Sequence, residues 1–167
     1  MIEPGNRQPH RKPIRILNTI ILAGFFAGAL DAVAAVLVHF VKGGKDPLLI
    51  FKYIASAVFG KKAFSEDWIM VGWGILIHFI IAYLFTIFFF FLYRRWTALS
   101  KDTVITSVLY GIFVWVIMNL IVLRFTKLNM KPFVAHDVIL SVSVLIIAIG
   151  LPITLLANKH YSKSGFI

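Results

Sequence analysis

The sequence contains no cysteine. Disulfides, thiolate chemistry and Cys-based metal sites are therefore excluded. Charge is also scarce. Charged residues make up 14% of the chain, against about 25% in a typical soluble domain. There is no phosphate-binding glycine loop, no GxSxG, no HExxH and no EF-hand loop, and no long apolar run carries the lysine a retinal-type Schiff base needs. No soluble stretch is long enough to hold separate chemistry.

What is present is apolar. Hydrophobic residues are 60% of the 167, and they are gathered into runs longer than a soluble core helix requires. Four runs, about residues 16–41, 68–93, 104–123 and 133–157, each supply the roughly 20 residues that cross about 30 Å of hydrocarbon at 1.5 Å per residue. Open strands in lipid would leave backbone groups unsatisfied, and these runs lack barrel alternation. The expected fold is an all-α integral membrane protein: a basic tail (1–15), a four-helix transmembrane bundle (16–157) and a C-terminal tail (158–167). Trp68, Tyr93 and Trp96 stand at span ends, where amphipathic rings prefer the interface. Pro132 opens the fourth span, and Gly150 and Pro152 should bend it. Ala32-Val33-Ala34 imitates a signal-peptidase site, but the apolar run continues to Val41, so the first span is read as uncleaved.

A fifth apolar segment, residues 47–59, is about 13 residues long and near 20 Å as a helix, too short to span. Lys52 and Ser56 share one of its faces. It is expected to form a short interfacial or re-entrant helix.

The net charge is +10, which invites a nucleic-acid reading. The basic residues, however, lie in short segments between apolar runs, as beside anionic lipid headgroups, so no nucleic-acid partner is expected. Basic residues fall almost equally on the two sides of the spans. The cluster Arg7, Arg11, Lys12 and Arg15 ahead of the first span favours both termini in the cytoplasm.

Polar residues inside the spans are where such a sequence speaks about function. Asp31 lies near the middle of span 1 and falls within about 60° of Gly24 and Gly28 on a helical wheel. Gly24 and Gly28 form a GxxxG pair suited to close helix contact. Gly74 and His78 share a face of span 2. Gly111, Trp115 and Asn119 step along span 3, and Asp137, Ser141 and Ala148 along span 4. Asp31, His78 and Asn119 fall at about the same depth, within one turn, in the outer half of the bilayer. Asp31, His78, Asn119 and Ser141 are thus candidates for an interhelical polar pocket, with Gly24, Gly28, Gly74 and Gly111 as packing positions. The same polar groups can act only as packing glue, at about 0.6 to 2 kcal/mol each, and both readings stand. At the outer edge, His39, His136 and Asp137 could hold a divalent metal, although no tight ligand motif supports it. A haem between His39 and His78 is disfavoured, since straight helices would set the two more than about 10 Å apart in depth. No cofactor is otherwise evident.

Several of these motifs occur together: Gly24-x-x-x-Gly28-x-x-Asp31, the Asp46-Pro47 segment ending in Gly60, His78-Phe79, Tyr110-Gly111, Trp115 with Met118-Asn119, and Gly150-Leu151-Pro152. In this the chain resembles small four-helix bacterial inner-membrane proteins of unknown function, loosely the YagU-like group. The resemblance runs from span 1 to span 4. It implies a bacterial cytoplasmic membrane and brings no activity or catalytic residue.

Three functions compete. The first is a bundle with a polar pocket acting as a binding or accessory subunit, self-associating or docked on a membrane-protein partner as well as on lipid. The second is a proton-coupled transporter, since small multidrug transporters also pair four spans with a carboxylate in the first. The third is a membrane-embedded enzyme using Asp31 and His78 as acid and base; with no nucleophile or cofactor motif, it ranks last.

Overall fold

A computed structural model describes residues 13–64, 67–122 and 134–162. The described residues are helices and the short links between them, with no strand. Helix α1 covers Pro13–Val41. Proline is tolerated at a first helical position because that N–H has no intrahelical acceptor. The helix ends where Gly43 adopts a φ of 83°, a left-handed conformation that favours glycine. There the Gly43 and Gly44 amides turn back onto the Phe40 and His39 carbonyls, both at 2.9 Å.

Helix α2 covers Leu48–Phe59. Its 12 residues make about 18 Å, too short to span. Asp46 Oδ1 accepts from the Leu48 amide at 2.9 Å, and Gly60 ends the helix at a φ of 63°. A 3₁₀ turn over Gly60–Phe64 follows. Helix α3 covers Trp68–Arg95, capped by Asp67 accepting from the Ile69 amide. Helix α4 covers Thr103–Val116, with Asp102 accepting from the Val104 and Ile105 amides. It runs on through a π-helical turn, Ile117–Ile121. The last rod is α5 (Ala135–Leu145), a second π turn (Ile146–Gly150) and α6 (Leu151–Ser162). Its wide turn falls just before Pro152. Proline has no N–H for the Ala148 carbonyl and crowds it sterically, which a wider turn relieves.

Four of these helices are long and apolar enough to cross a membrane: Ile16–Val41, Trp68–Arg95, Thr103–Ile121 and Ala135–Ser162. One boundary differs from expectation by more than a turn. The last helix continues past 157 to Ser162, because polar residues there have partners: Asn158 Nδ2 donates to Thr103 Oγ1 at 3.0 Å, and His160 Nδ1 meets Thr19 Oγ1 at 3.0 Å. The expected ends at Leu123 and Phe133 lie outside the described residues.

Below, the near end of the bundle is where α1 begins, α3 ends, α4 begins and α6 ends; the far end is the opposite one. Helix α1 packs on α3 and on the last rod, which packs in turn on α4, while α2 folds back over α3. Glycines set the crossings. A side chain at Gly24 would overlap the Tyr83 ring, and one at Gly28 would overlap Phe79 and Ala82. At Gly111 it would strike the Ile146 backbone, and at Gly150 the Ser107 carbonyl. Gly74 serves a different contact, because its absent side chain makes room for the Phe51 backbone of α2. Helices α3 and α4 meet through aromatics. Tyr110 Oη donates to the Phe85 carbonyl at 2.5 Å, and the Phe89 and Tyr110 rings are 4.5 Å apart edge-on.

The packed core sits toward the near end. It joins Ala23, Ala27, Phe89, Phe90, Tyr93, Tyr110, Val114, Ile149, Ile153, Ala157 and Tyr161. Toward the far end burial fades on α1, α4 and the last rod, while α3 stays buried at Gly74 and Val71, where α2 covers it. No residue of α1 beyond Gly28 is fully buried, and none is in α5 or in the Ile117–Ile121 turn.

Candidate functional site

Each long helix changes character at the same level. On α1 the last buried core alanine is Ala27, and Asp31 follows one turn later. On α3, running the other way, the buried stretch from Tyr93 ends at Ala82 and His78 stands one turn beyond, before burial resumes at Gly74 and Val71 under α2. On α4 it ends at Val114, next to Trp115. On the last rod it ends at Ala148, with Ser141 two turns further. The polar residues therefore form a layer directly above the closed core.

Helical geometry aims this layer inward. Residues turn by about 100° each. Asp31 thus falls between the Gly24/Gly28 stripe, which meets α3, and the Ala23/Ala27 stripe, which joins the core shared with the last rod. It points to the junction of three helices. His78 lies on the same face of α3 as Phe85 and Phe89, the residues that meet Tyr110 of α4.

The layer is organised in two pairs. In the first, His78 Nε2 donates to the Gly28 carbonyl at 2.8 Å, which fixes the proton on that nitrogen. Asp31 is close enough to His78 to interact with it electrostatically. Its carboxyl makes no hydrogen bond to the described residues, and the side chain is half-buried. In the second pair, Trp115 Nε1 donates to Ser141 Oγ at 2.8 Å, and Ser141 donates to the Val138 carbonyl at 3.0 Å. Asn119 turns back on its own helix, donating to the Trp115 carbonyl at 3.0 Å. That carbonyl lies beside the π turn, where the regular ladder is disturbed.

Below the layer the core is aromatic. The Tyr93 and Tyr161 rings stack at 5.4 Å, and Tyr161 Oη donates to the Phe90 carbonyl at 3.4 Å. Phe89, Phe90 and Tyr110 complete the floor.

The far-edge trio is not gathered. Asp137 Oδ1 accepts from Lys42 Nζ at 2.6 Å, and His136 Nδ1 lies 3.8 Å from the same oxygen. His39 stands apart, with its ring against Gly44 and its Nε2 buried. Among the described residues no group of three His, Cys, Asp or Glu is placed to hold a metal ion. The physical reason is that the lysine at the end of α1 takes the carboxylate. Sequence reading missed this pairing, although opposite charges at the same end of two spans were its available signal. The pattern put Trp115 on one face with Gly111 and Asn119 without giving its partner, Ser141 of the last rod, and put His160 in a C-terminal tail, where it meets Thr19.

No family model matches the chain, and neither a curated protein nor a solved structure does.

Proposed function

We propose that this chain is a small multi-pass protein of a bacterial cytoplasmic membrane, with both termini cytoplasmic, that binds a small polar or cationic ligand in the interhelical layer of Asp31 and His78. One observation carries this reading. The helices are sealed by aromatics toward the near end, while the inward-facing carboxyl above that seal is mostly buried, partly exposed and without a hydrogen bond to the described residues. A carboxyl in such a place attracts a hydrogen-bond donor or a cation, and Trp115 at the same level offers an aromatic face. With the near end cytoplasmic, the ligand would enter from the outer half of the bilayer. Helix α2 would then lie at the outer face, dipping in beside α3. In this reading the protein is a binding or accessory component, self-associating or docked on a membrane partner, with the open helix face at Gly72 as one surface for it.

The test is binding of tetraphenylphosphonium to the protein in phosphatidylcholine nanodiscs, followed by tryptophan quenching. Two opposite unit charges about 7 Å apart attract by about 2.4 kcal/mol at an effective dielectric of about 20, and about 1.4 kcal/mol is tenfold in affinity. Asp31→Asn should therefore weaken binding at least about tenfold. Equal affinity in the two forms would refute the site.

A second reading, proton-coupled transport, is favoured by the pairing of two titratable groups, Asp31 and His78, in that layer. It predicts that cation binding releases protons into weakly buffered solution and that Asp31→Asn abolishes both this release and liposome uptake in a folded protein.

A further inference from the structure

At the near end, the surface of α6 carries a groove of about 490 Å³ lined by Leu155, Leu156, Asn158, Lys159 and Ser162. Its two ends differ in chemistry. Leu155 and Leu156 lie one turn closer to the middle of the rod, and Leu155 is 51% exposed. The other end is polar. Ser162 Oγ donates to Asn158 Oδ1 at 3.0 Å, and Asn158 donates one of its two amide hydrogens to Thr103. Lys159 is exposed and forms no ion pair or hydrogen bond with the described residues.

The charge around this end is of one sign. Arg94, Arg95 and Lys101 are exposed at the same end and likewise without an ion pair among the described residues. Asp102 is the one described carboxylate there, and it is engaged in capping α4. An anion at Lys159 would thus meet an unopposed positive field. A soluble anion, however, would have no use for the two leucines. An amphiphile with a phosphate at its head and an acyl chain below fits both ends at once.

We propose that this groove binds one anionic phospholipid, its phosphate held by the Lys159 ammonium and the second amide hydrogen of Asn158, and an acyl chain laid along Leu155 and Leu156. The helix end is positioned for this by the Asn158–Thr103 bond, which ties α6 to the start of α4. The site stands apart from the Asp31 layer and does not depend on its reading.

The test uses the whole chain in mild detergent, titrated with dioctanoyl phosphatidylglycerol and followed by native mass spectrometry. Dioctanoyl phosphatidylcholine and glycerol 3-phosphate serve as the comparison probes. The expected result is a one-to-one phosphatidylglycerol adduct, weakened at least about fivefold by Lys159→Gln. Leu155→Trp, which fills the groove without changing charge, should weaken it similarly, and Lys45→Gln at the far end should leave it unchanged. Equal binding of phosphatidylcholine, an adduct indifferent to Lys159→Gln, or equal binding of glycerol 3-phosphate would each overturn the proposal, the last by showing a free-anion site.

Discussion

Gly72 and Gly74 lie two residues apart on α3 and should respond to alanine in opposite directions. A side chain at Gly72 meets nothing within 4 Å, whereas one at Gly74 would overlap the Phe51 carbonyl of α2. Glycine inside a helix is about 0.5–1 kcal/mol worse than alanine. Gly72→Ala should therefore stabilise the fold by that amount. At Gly74 the obstacle is backbone, so no rotamer change relieves it and α2 must move away. Overpacking of this kind costs about 1–3 kcal/mol, less the propensity gain. The two variants should differ by about 2 kcal/mol, or roughly thirtyfold in the unfolding equilibrium. Reversible unfolding in mixed micelles with rising SDS, followed by far-UV circular dichroism, measures this. If Gly72→Ala destabilises as much as Gly74→Ala, Gly72 is buried in a contact the single chain lacks, and a second copy on that face becomes the explanation.

Three further outcomes are expected. His78→Phe should lose about 0.6–1.7 kcal/mol, the range for a bond between membrane helices, while His78→Gln, which keeps a donor toward the Gly28 carbonyl, should lose less; equal losses would refute the bond's role. Gly111→Ala should cost about 1–3 kcal/mol in the same assay, because the added methyl meets the Ile146 backbone; no loss would mean the crossing adjusts freely. With Trp68, Trp73 and Trp96 changed to phenylalanine, Pro152→Ala should alter Trp115 emission as Ser141→Ala does, since a restored N–H at 152 permits a regular helix and turns Ser141 relative to α6. An unchanged spectrum would assign the π turn to the Gly150–Ser107 crossing instead.

The long helices were legible because run length and composition report them directly. The short helix was legible from the same rule read in reverse, as residues 47–59 are apolar but too few to cross. Partners were harder. Gly74 and His78 at four-residue spacing look the same whether the neighbour is a long helix or α2, so the pattern gave the face of α3 and not its occupant. The common level of Asp31 and His78 followed from counting residues along two rods. That His78 donates to the Gly28 carbonyl could not be read, because backbone acceptors are not written in a sequence. Asn119 shows the same limit: its helical face was given, but its side chain folds back to the Trp115 carbonyl beside a π turn. The end of α6 was misjudged because Asn158, Lys159 and His160 look like a solvated tail until Thr103 and Thr19 are brought beside them.

The two π turns bear on why one half of the bundle closes and the other does not. Each lies at the boundary, Ile117–Ile121 on α4 and Ile146–Gly150 on the last rod. A π turn inserts a residue into the helical register and re-aims everything beyond it. Toward the near end, the small residues Ser107, Gly111 and Gly150 let α4 and the last rod touch backbone to backbone. Beyond the turn on the last rod no such small pair recurs among the described residues, and the contact with α4 passes to longer side chains, Trp115 reaching Ser141. A tryptophan between two helices holds them further apart than a glycine does. The separation that leaves Asp31 partly exposed is thus built from the same few positions that close the aromatic floor beneath it.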